Sequence, residues 1–226
     1  MPINVRREFD AELQELKKKI LTMGSLVQTM LADSLTALVT RDTPLAASVQ
    51  ERDNEVDRME IAVDELAVRI IALRQPAASD LRLIIAGLKI IKDLERVGDI
   101  AVNVSERVVE LNAEPQLKPY IDLPRMVDAV QAMIRDALDA FVMNDATLAQ
   151  KVLERDEFVD NLNAQIFHEL LTFMLSDPKT INRATRLIFI SKYLERAADH
   201  ATNVAEEVIF ATQGRDVRHG NVGWPT

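Results

Sequence analysis

The two halves of the 226-residue chain repeat one another, and this duplication restricts the fold more than any other feature. Residues 92–109 align with residues 192–209 at a shift of 100, and ten of the eighteen positions are identical. Upstream, residues 51–57 (ERDNEVD) align with residues 154–160 (ERDEFVD) at a shift of 103. The change of shift indicates a three-residue deletion in the second half. Because the best-matched positions are polar, the repeat carries more than a hydrophobic core.

Segments of about thirty residues without proline have apolar residues at a spacing of three and four, which is typical of amphipathic helices. The sequence predicts six long helices, at residues 8–40, 44–74, 77–112, 122–143, 146–175 and 178–212. Thr43 and Asp177 each precede a proline and are the expected N-caps of two of these helices. Gly214 is the expected stop of the last helix.

The predicted fold class is therefore all-α. Each half forms a helix–helix–helix unit, and short connections make neighbouring helices antiparallel, so we expect two tandem antiparallel three-helix bundles. The proline-dense segment 113–122 separates the halves. We place the first bundle at residues 1–113, the second at residues 119–213 and a flexible tail at residues 214–226.

Composition excludes several classes of function. The absence of cysteine removes disulfides, thiolate metal sites and cysteine nucleophiles, and only three histidines are present. A net charge of −9 without a basic patch argues against nucleic-acid binding. Neither GxxxxGK[ST] nor GxGxxG occurs. The N-terminus lacks an apolar signal core, and the longest apolar run, residues 83–88, is too short to span a membrane. We therefore expect a cytoplasmic, soluble protein without direct membrane insertion.

Acidic and amide residues recur at one-turn spacing on four predicted helices. On the third and sixth helices they lie within roughly 80° of one another, at 100° per residue, and so form a stripe. In helix order the residues are Asp53 and Asp57; Glu95, Asp99, Asn103 and Glu106; Asp156 and Asp160; and Glu195, Asp199, Asn203 and Glu206.

An antiparallel hairpin places the Asp53–Asp57 pair at the level of Glu95 and Asp99, and the second half repeats this arrangement. Four like charges held together require a cation, bound water or raised pKa values. Carboxylate oxygens suit hard cations such as Mg, Ca, Mn or iron. A single acidic pair on a helix is commonly a solvated face, but its recurrence on two helices of each half favours a binding site. The amides and the last glutamate of each stripe are secondary candidates.

Other polar residues have simpler interpretations. Asp33 and Asp136 lie within apolar runs and are expected at the edges between helices. His200 has no counterpart in the first half, where Ile100 stands, so it is expected on the surface. His168 is preceded three residues earlier by Gln165, which breaks the E-x-x-H signature of di-iron bundle oxidases.

The segment 94–99 (LERVGD), followed by Asn103 and Glu106, resembles the phosphate-uptake regulator family PhoU. The segment 194–203 (LERAADHATN) is similar to that family's second motif, with Ala198 in place of the usual glycine and Tyr193 in place of the usual asparagine. The run Asp80-Leu81-Arg82 fits the approach to the first motif. The resemblance covers nearly the whole chain, including its duplication.

This resemblance implies two three-helix bundles that bind metal through E(D)-x-x-x-D motifs. It assigns as ligands Asp53, Asp57, Glu95, Asp99, Asp156, Asp160, Glu195 and Asp199, with a divalent or trivalent cation among iron, Mg, Mn, Ca and Zn. It also implies a non-catalytic negative regulator of the phosphate-starvation response. The implied partners are the ATPase subunit of the phosphate ABC transporter and a sensor histidine kinase, and a homodimer is a further expectation.

Two alternatives stand beside this expectation. The carboxylates could serve a metalloenzyme built on a helical bundle, although no E-x-x-H motif and no defined general base accompany them. The chain could also be a structural protein or an accessory protein of a phosphate permease with similar helical composition.

Overall fold

The computed structural model describes residues 3–215 and 217, and these form six long helices without a strand. The helices are α1 (Ile3–Thr40), α2 (Thr43–Arg74), α3 (Ala78–Asn112), α4 (Asp122–Met143), α5 (Ala146–Ser176) and α6 (Ile181–Gln213). A short 3-10 turn, Pro178–Thr180, precedes α6. The all-α fold class and the six-helix count are thereby confirmed for the described part of the chain.

The clearest differences from the predicted helix ends lie at the starts of α1, α2 and α6. Helix α1 begins at Ile3 rather than residue 8, since no proline or glycine interrupts residues 3–7. Asp42, not Thr43, caps α2, because its carboxylate accepts the Leu45 amide at 2.9 Å and Pro44 then lies inside the first turn. Asp177 is a cap as predicted, but it caps the 3-10 turn by accepting the Lys179 amide.

Gly214 ends α6 with a φ of 67°, as predicted, because the left-handed region is accessible to glycine at little cost. Val217, which falls within the predicted flexible tail, is half-buried against the hydrophobic core. The rest of that tail, residues 216 and 218–226, lies outside the described residues.

Helices α1, α2 and α3 pack together as one bundle, and α4, α5 and α6 as the other. The halves meet where α3 packs along α6 and α1 crosses α4, and buried apolar side chains continue across both contacts. Gln131 Nε2 donates to the carbonyl of Gln28 at 3.0 Å, and these two residues are equivalent in the repeat. Contact between equivalent positions is the mark of a two-fold arrangement, so the halves are related by a pseudo-two-fold axis.

Gly24 lets α1 and α4 approach closely near this axis. A Cβ built at Gly24 would overlap with Cδ1 of Leu138, a buried residue of α4. A larger side chain would therefore force the two halves apart or push Leu138 into neighbouring core atoms.

We predict that Gly24→Val lowers the free energy of unfolding by about 1–3 kcal/mol through overpacking. The matched control is Ser25→Val, since Ser25 is the next residue of α1 and is exposed. Urea unfolding followed by circular dichroism measures both variants. Equal losses of unfolding free energy in the two variants would show that the contact between α1 and α4 does not depend on Gly24.

Candidate metal-binding clusters

The α2–α3 groove carries Asp53, Asp57, Glu95 and Asp99, which we call the first cluster. Helices α2 and α3 approach closely at this level, because Gly98 presents no side chain to Val56. A Cβ at Gly98 would lie 3.3 Å from Val56 Cγ1, which is tighter than ordinary contact. Since Val56 lies between the two aspartates in sequence, the close helix contact also brings their carboxylates towards α3.

The acids of the first cluster repel one another. Burial raises the pKa of Asp53, and the charges of Asp57 and Asp99 raise it further. Burial also raises the pKa of Glu95, Asp99 adds to the effect, and Arg96 opposes it. Charges on α2 and α3 therefore act on each other, which places the two pairs at one level of the bundle.

The α5–α6 groove carries Asp156, Asp160, Glu195 and Asp199, which we call the second cluster. Burial raises the pKa of Asp156 from 3.8 to about 6, and Asp160, Asp199 and Glu195 contribute in that order. Burial raises the pKa of Asp199 as well, followed by the charge of Glu195. Asp156 is half-buried, and its Oδ1 atom is enclosed without a hydrogen-bond partner.

Each cluster already contains a positive side chain. Arg96 lies 2.9 Å from Asp99 Oδ2 and 3.4 Å from Glu95 Oε2, with 60% of its side chain exposed. Lys192 Nζ lies 2.6 Å from both carboxylate oxygens of Glu195. Exposed pairs of this kind contribute little to stability, about 0–1 kcal/mol, so they only partly offset the repulsion among the acids.

Sequence analysis missed that the acidic stripe of α2 continues beyond Asp57. Glu60 Oε1 lies 2.5 Å from Lys92 Nζ, and Asp64 adds to the field that raises the pKa of Lys92. The signal was present in the spacing, because residues 53, 57, 60 and 64 share one helix face.

The secondary candidates make their hydrogen bonds elsewhere. Asn103 Nδ2 donates to the backbone carbonyl of Asp99, and Glu106 pairs with Arg107 at 3.3 Å. Asn203 Nδ2 donates to Asp93 Oδ1 at 3.0 Å, across the contact between the halves. Glu206 lines an open groove at the same contact.

His200 does not lie free on the surface as expected. Its Nδ1 atom is 2.8 Å from Asp93 Oδ1, and both side chains are mostly buried, at 19% and 17% exposed. The prediction was wrong because α6 packs against α3, a contact that the spacing within one helix does not show. Asp33 and Asp136 do lie at helix edges, where they pair with Arg52 and Arg155.

The described residues include no group of three or more histidine, aspartate or glutamate side chains close enough to hold one metal ion. Within each cluster the charges of the four candidate carboxylates interact, but these side chains do not form a closed coordination shell. An ion at either cluster would require some of these side chains to turn inward.

The PhoU domain family matches this chain twice, at residues 20–108 and 123–208. The chain belongs to the PhoU family. It is 43% identical over 217 residues to the phosphate-specific transport system accessory protein PhoU homolog of Pseudomonas putida, covering 96% of this chain and 85% of that relative. The homolog from Aquifex aeolicus is 41% identical over 211 residues, covering 93% and 96%.

Solved structures agree with the fold. The crystal structure of PhoU from Pseudomonas aeruginosa matches with a TM-score of 0.87 and 42% identity, over 92% of this chain and 100% of that one. The phosphate transport system regulatory protein PhoU from Streptococcus pneumoniae matches with a TM-score of 0.86 and 30% identity, over 92% and 99%. The predicted family and the tandem duplication are confirmed.

The relatives are named as accessory or regulatory proteins rather than enzymes, in agreement with a non-catalytic role for this PhoU protein. The metalloenzyme alternative therefore has no support among them. Within the described residues, none of the helices is long and apolar enough to cross a membrane.

We predict that Asp156→Asn stabilises the metal-free protein at pH 7.5 by about 1 kcal/mol. The folded-state pKa, about 6, lies above the reference value of 3.8, so the ionised carboxylate costs folding energy above pH 6. A full shift of this size corresponds to about 3 kcal/mol, which solvent screening reduces. The gain should stay constant from pH 7.5 to about 6 and fade as the pH falls from about 6 towards 4, because the wild-type carboxyl becomes protonated in the folded state.

The control for this prediction is Glu157→Gln, which removes one charge from the exposed neighbouring position. Urea midpoints at several pH values measure both variants. Two outcomes would contradict the cost assigned to the ionised Asp156 carboxylate. One is a gain in stability for Asp156→Asn that persists unchanged at pH 4, and the other is an equal gain for Glu157→Gln.

Proposed function

We propose that this PhoU protein is a cation-binding, non-catalytic accessory protein of phosphate-specific transport that represses the phosphate-starvation response. In this proposal it connects the ATPase subunit of the phosphate transporter to a sensor histidine kinase in the cytoplasm. Family membership over nearly the whole chain supports the link to transport. The observation that carries the cation-binding part is the repeated placement of four carboxylates whose charges interact across one groove in each half.

The chemistry of both clusters suits a hard cation. All eight candidate ligands offer carboxylate oxygens, the chain has no cysteine, and neither cluster contains a histidine. The enclosed and unpartnered Oδ1 of Asp156 supports binding at the second cluster, since a buried acceptor without a partner costs about 1–3 kcal/mol. Iron, Mg, Mn, Ca and Zn all remain candidates, and oxygen ligands favour the harder ions among them.

A bound cation would supply positive charge that offsets the repulsion across each groove. Asp53 and Asp57 on α2, with Glu95 and Asp99 on α3, would hold it in the first bundle, and their equivalents would do so in the second. The protein's own contribution is to place these acids across a helix contact, which Gly98 makes close in the first bundle. Neutralising the carboxylates strengthens the contact of α2 with α3 and of α5 with α6. Partner proteins would then meet a more rigid surface.

We predict that wild-type protein binds Mn²⁺ at both bundles, measured by isothermal titration calorimetry after chelator treatment. Asp53→Asn/Asp57→Asn should lose binding at the first bundle only, and Asp156→Asn/Asp160→Asn at the second only. Because each double substitution removes like charges, the metal-free variants should be at least as stable as wild type. Glu51→Gln/Glu55→Gln, on an exposed face of α2, is the control. Unchanged Mn²⁺ stoichiometry in the variants would overturn the assigned ligands.

A second prediction concerns the regulatory role. Deleting the gene should raise expression from phosphate-regulated promoters in phosphate-rich medium, and the wild-type copy should restore repression. Crosslinking in cells followed by mass spectrometry should capture the transporter ATPase and a histidine kinase. Full repression in the deletion strain would refute the regulatory role.

The expected homodimer is a separate matter, and sedimentation of the purified chain checks it.

A further inference from the structure

The two acidic clusters have the same acids but different neighbours. Glu60 on α2 and Asn163 on α5 are equivalent in the repeat, and each lies one turn beyond its aspartate pair. Lys92 on α3 and Lys192 on α6 are likewise equivalent, one turn before the first ligand of their helix. The lysines therefore occupy the same position in the two bundles, whereas the residue across the groove is an acid in one and an amide in the other.

The lysines have different partners as a result. Lys92 Nζ lies 2.5 Å from Glu60 Oε1, and the side chain of Glu60 is only 16% exposed. Asn163 carries no charge, and its Oδ1 accepts a hydrogen bond from Ser191 at 2.9 Å. Lys192 instead pairs with Glu195, which is one of the candidate ligands of the second cluster.

We infer that Glu60 and Asn163 make the two cation sites unequal, because the residue at this position determines whether the neighbouring lysine pairs with a candidate metal ligand. This inference rests on the proposed cation binding and specifies it further. In the first bundle Lys92 pairs with Glu60 and makes no ion pair with Glu95 among the described residues, so its ammonium group does not occupy that ligand. In the second bundle a cation must displace Lys192 from Glu195 before all four acids are available.

The first cluster has its own positive neighbour, which differs in kind. Arg96 contacts both Glu95 and Asp99, whereas Arg196 makes no ion pair among the described residues. A guanidinium group, that of Arg96, therefore pairs with the acids of the first cluster, and an ammonium group, that of Lys192, pairs with an acid of the second. Glu60 and Asn163 are positioning residues, since each acts on the site only through a lysine.

The positive charge of Lys192 should lower the affinity of the second cluster for a cation. An ammonium group on a ligand repels a divalent cation and also consumes a carboxylate, and both effects weaken binding. At the surface, where the effective dielectric constant is high, removing one such charge corresponds to about a three- to tenfold gain in affinity. The gain should shrink at high ionic strength.

The test measures Mn²⁺ affinity by calorimetry at one intact site at a time. In the Asp53→Asn/Asp57→Asn background, adding Asn163→Glu or Lys192→Gln should tighten binding at the second cluster about three- to tenfold. In the Asp156→Asn/Asp160→Asn background, adding Glu60→Asn should free Lys92 to pair with Glu95 and weaken binding at the first cluster by a similar factor.

Two exposed substitutions control for net charge. Lys179→Gln matches the charge change of Lys192→Gln, and Asn182→Glu matches that of Asn163→Glu, both near the start of α6 and far from its acidic pair in sequence. Thermal unfolding without metal verifies that every variant folds. Opposite shifts for Asn163→Glu and Glu60→Asn that exceed the shifts of the exposed controls support the inference, because a change in net charge alone would give opposite signs of no more than the control size.

The possible failures are distinguishable. If wild-type protein binds no Mn²⁺, both the proposed cation binding and this inference are overturned. If wild type binds Mn²⁺ at both clusters but none of the three added substitutions shifts affinity by more than the two charge controls, the inference alone is overturned. If Lys192→Gln tightens binding and Asn163→Glu does not, Asn163 is not the positioning residue and the inference is again overturned.

Discussion

Repulsion between carboxylates across a close helix contact is the interaction on which each bundle's behaviour depends. Two buried faces, α2 against α3 and α5 against α6, supply the hydrophobic energy that holds the acids together. The same packing removes part of the water from Asp53, Glu95 and Asp156, and burial is the largest cause of their raised pKa values. The fold thus maintains two sites that are unfavourable when empty of positive charge, and resident side chains offset only part of that cost.

The pseudo-two-fold packing of the halves connects these two sites. Asp93 lies two residues before Glu95, and His200 directly follows Asp199, so the hydrogen bond between Asp93 and His200 joins positions next to both clusters. Lys89 adds a second cross-contact by pairing with Glu207 at 3.0 Å. Because α3 contacts both α2 and α6, a movement of α3 itself would change both contacts.

Much of the fold followed from the sequence because its signals are local. The 3.6-residue period, the proline positions and the repeat together determined six helices and two units, and the relation of 53–57 to 95–99 required only an antiparallel hairpin. The N-cap at Asp42 was misassigned because Thr43 and Asp42 are both good caps, and only the position of Pro44 within the turn distinguishes them. His200 was predicted wrongly for a different reason. Its partner Asp93 lies 107 residues earlier in the chain, and no local sequence pattern predicts that α3 and α6 pack together.

The structure also shows where the duplicated halves have diverged. The shared acids occupy equivalent positions, but the surrounding charges do not, since Glu60 is replaced by Asn163, Asp64 by Phe167 and Asp93 by Tyr193 in the second half. Each replacement removes a negative charge near the second groove or the contact between the halves. The second half has fewer acids in total, yet the pKa of Asp156 is raised to about 6. Burial is the largest cause for both Asp53 and Asp156, but three neighbouring acids add to it at Asp156 and two at Asp53. Sites built from the same residues can therefore differ in behaviour when the enclosure and the immediate neighbours of one carboxylate differ.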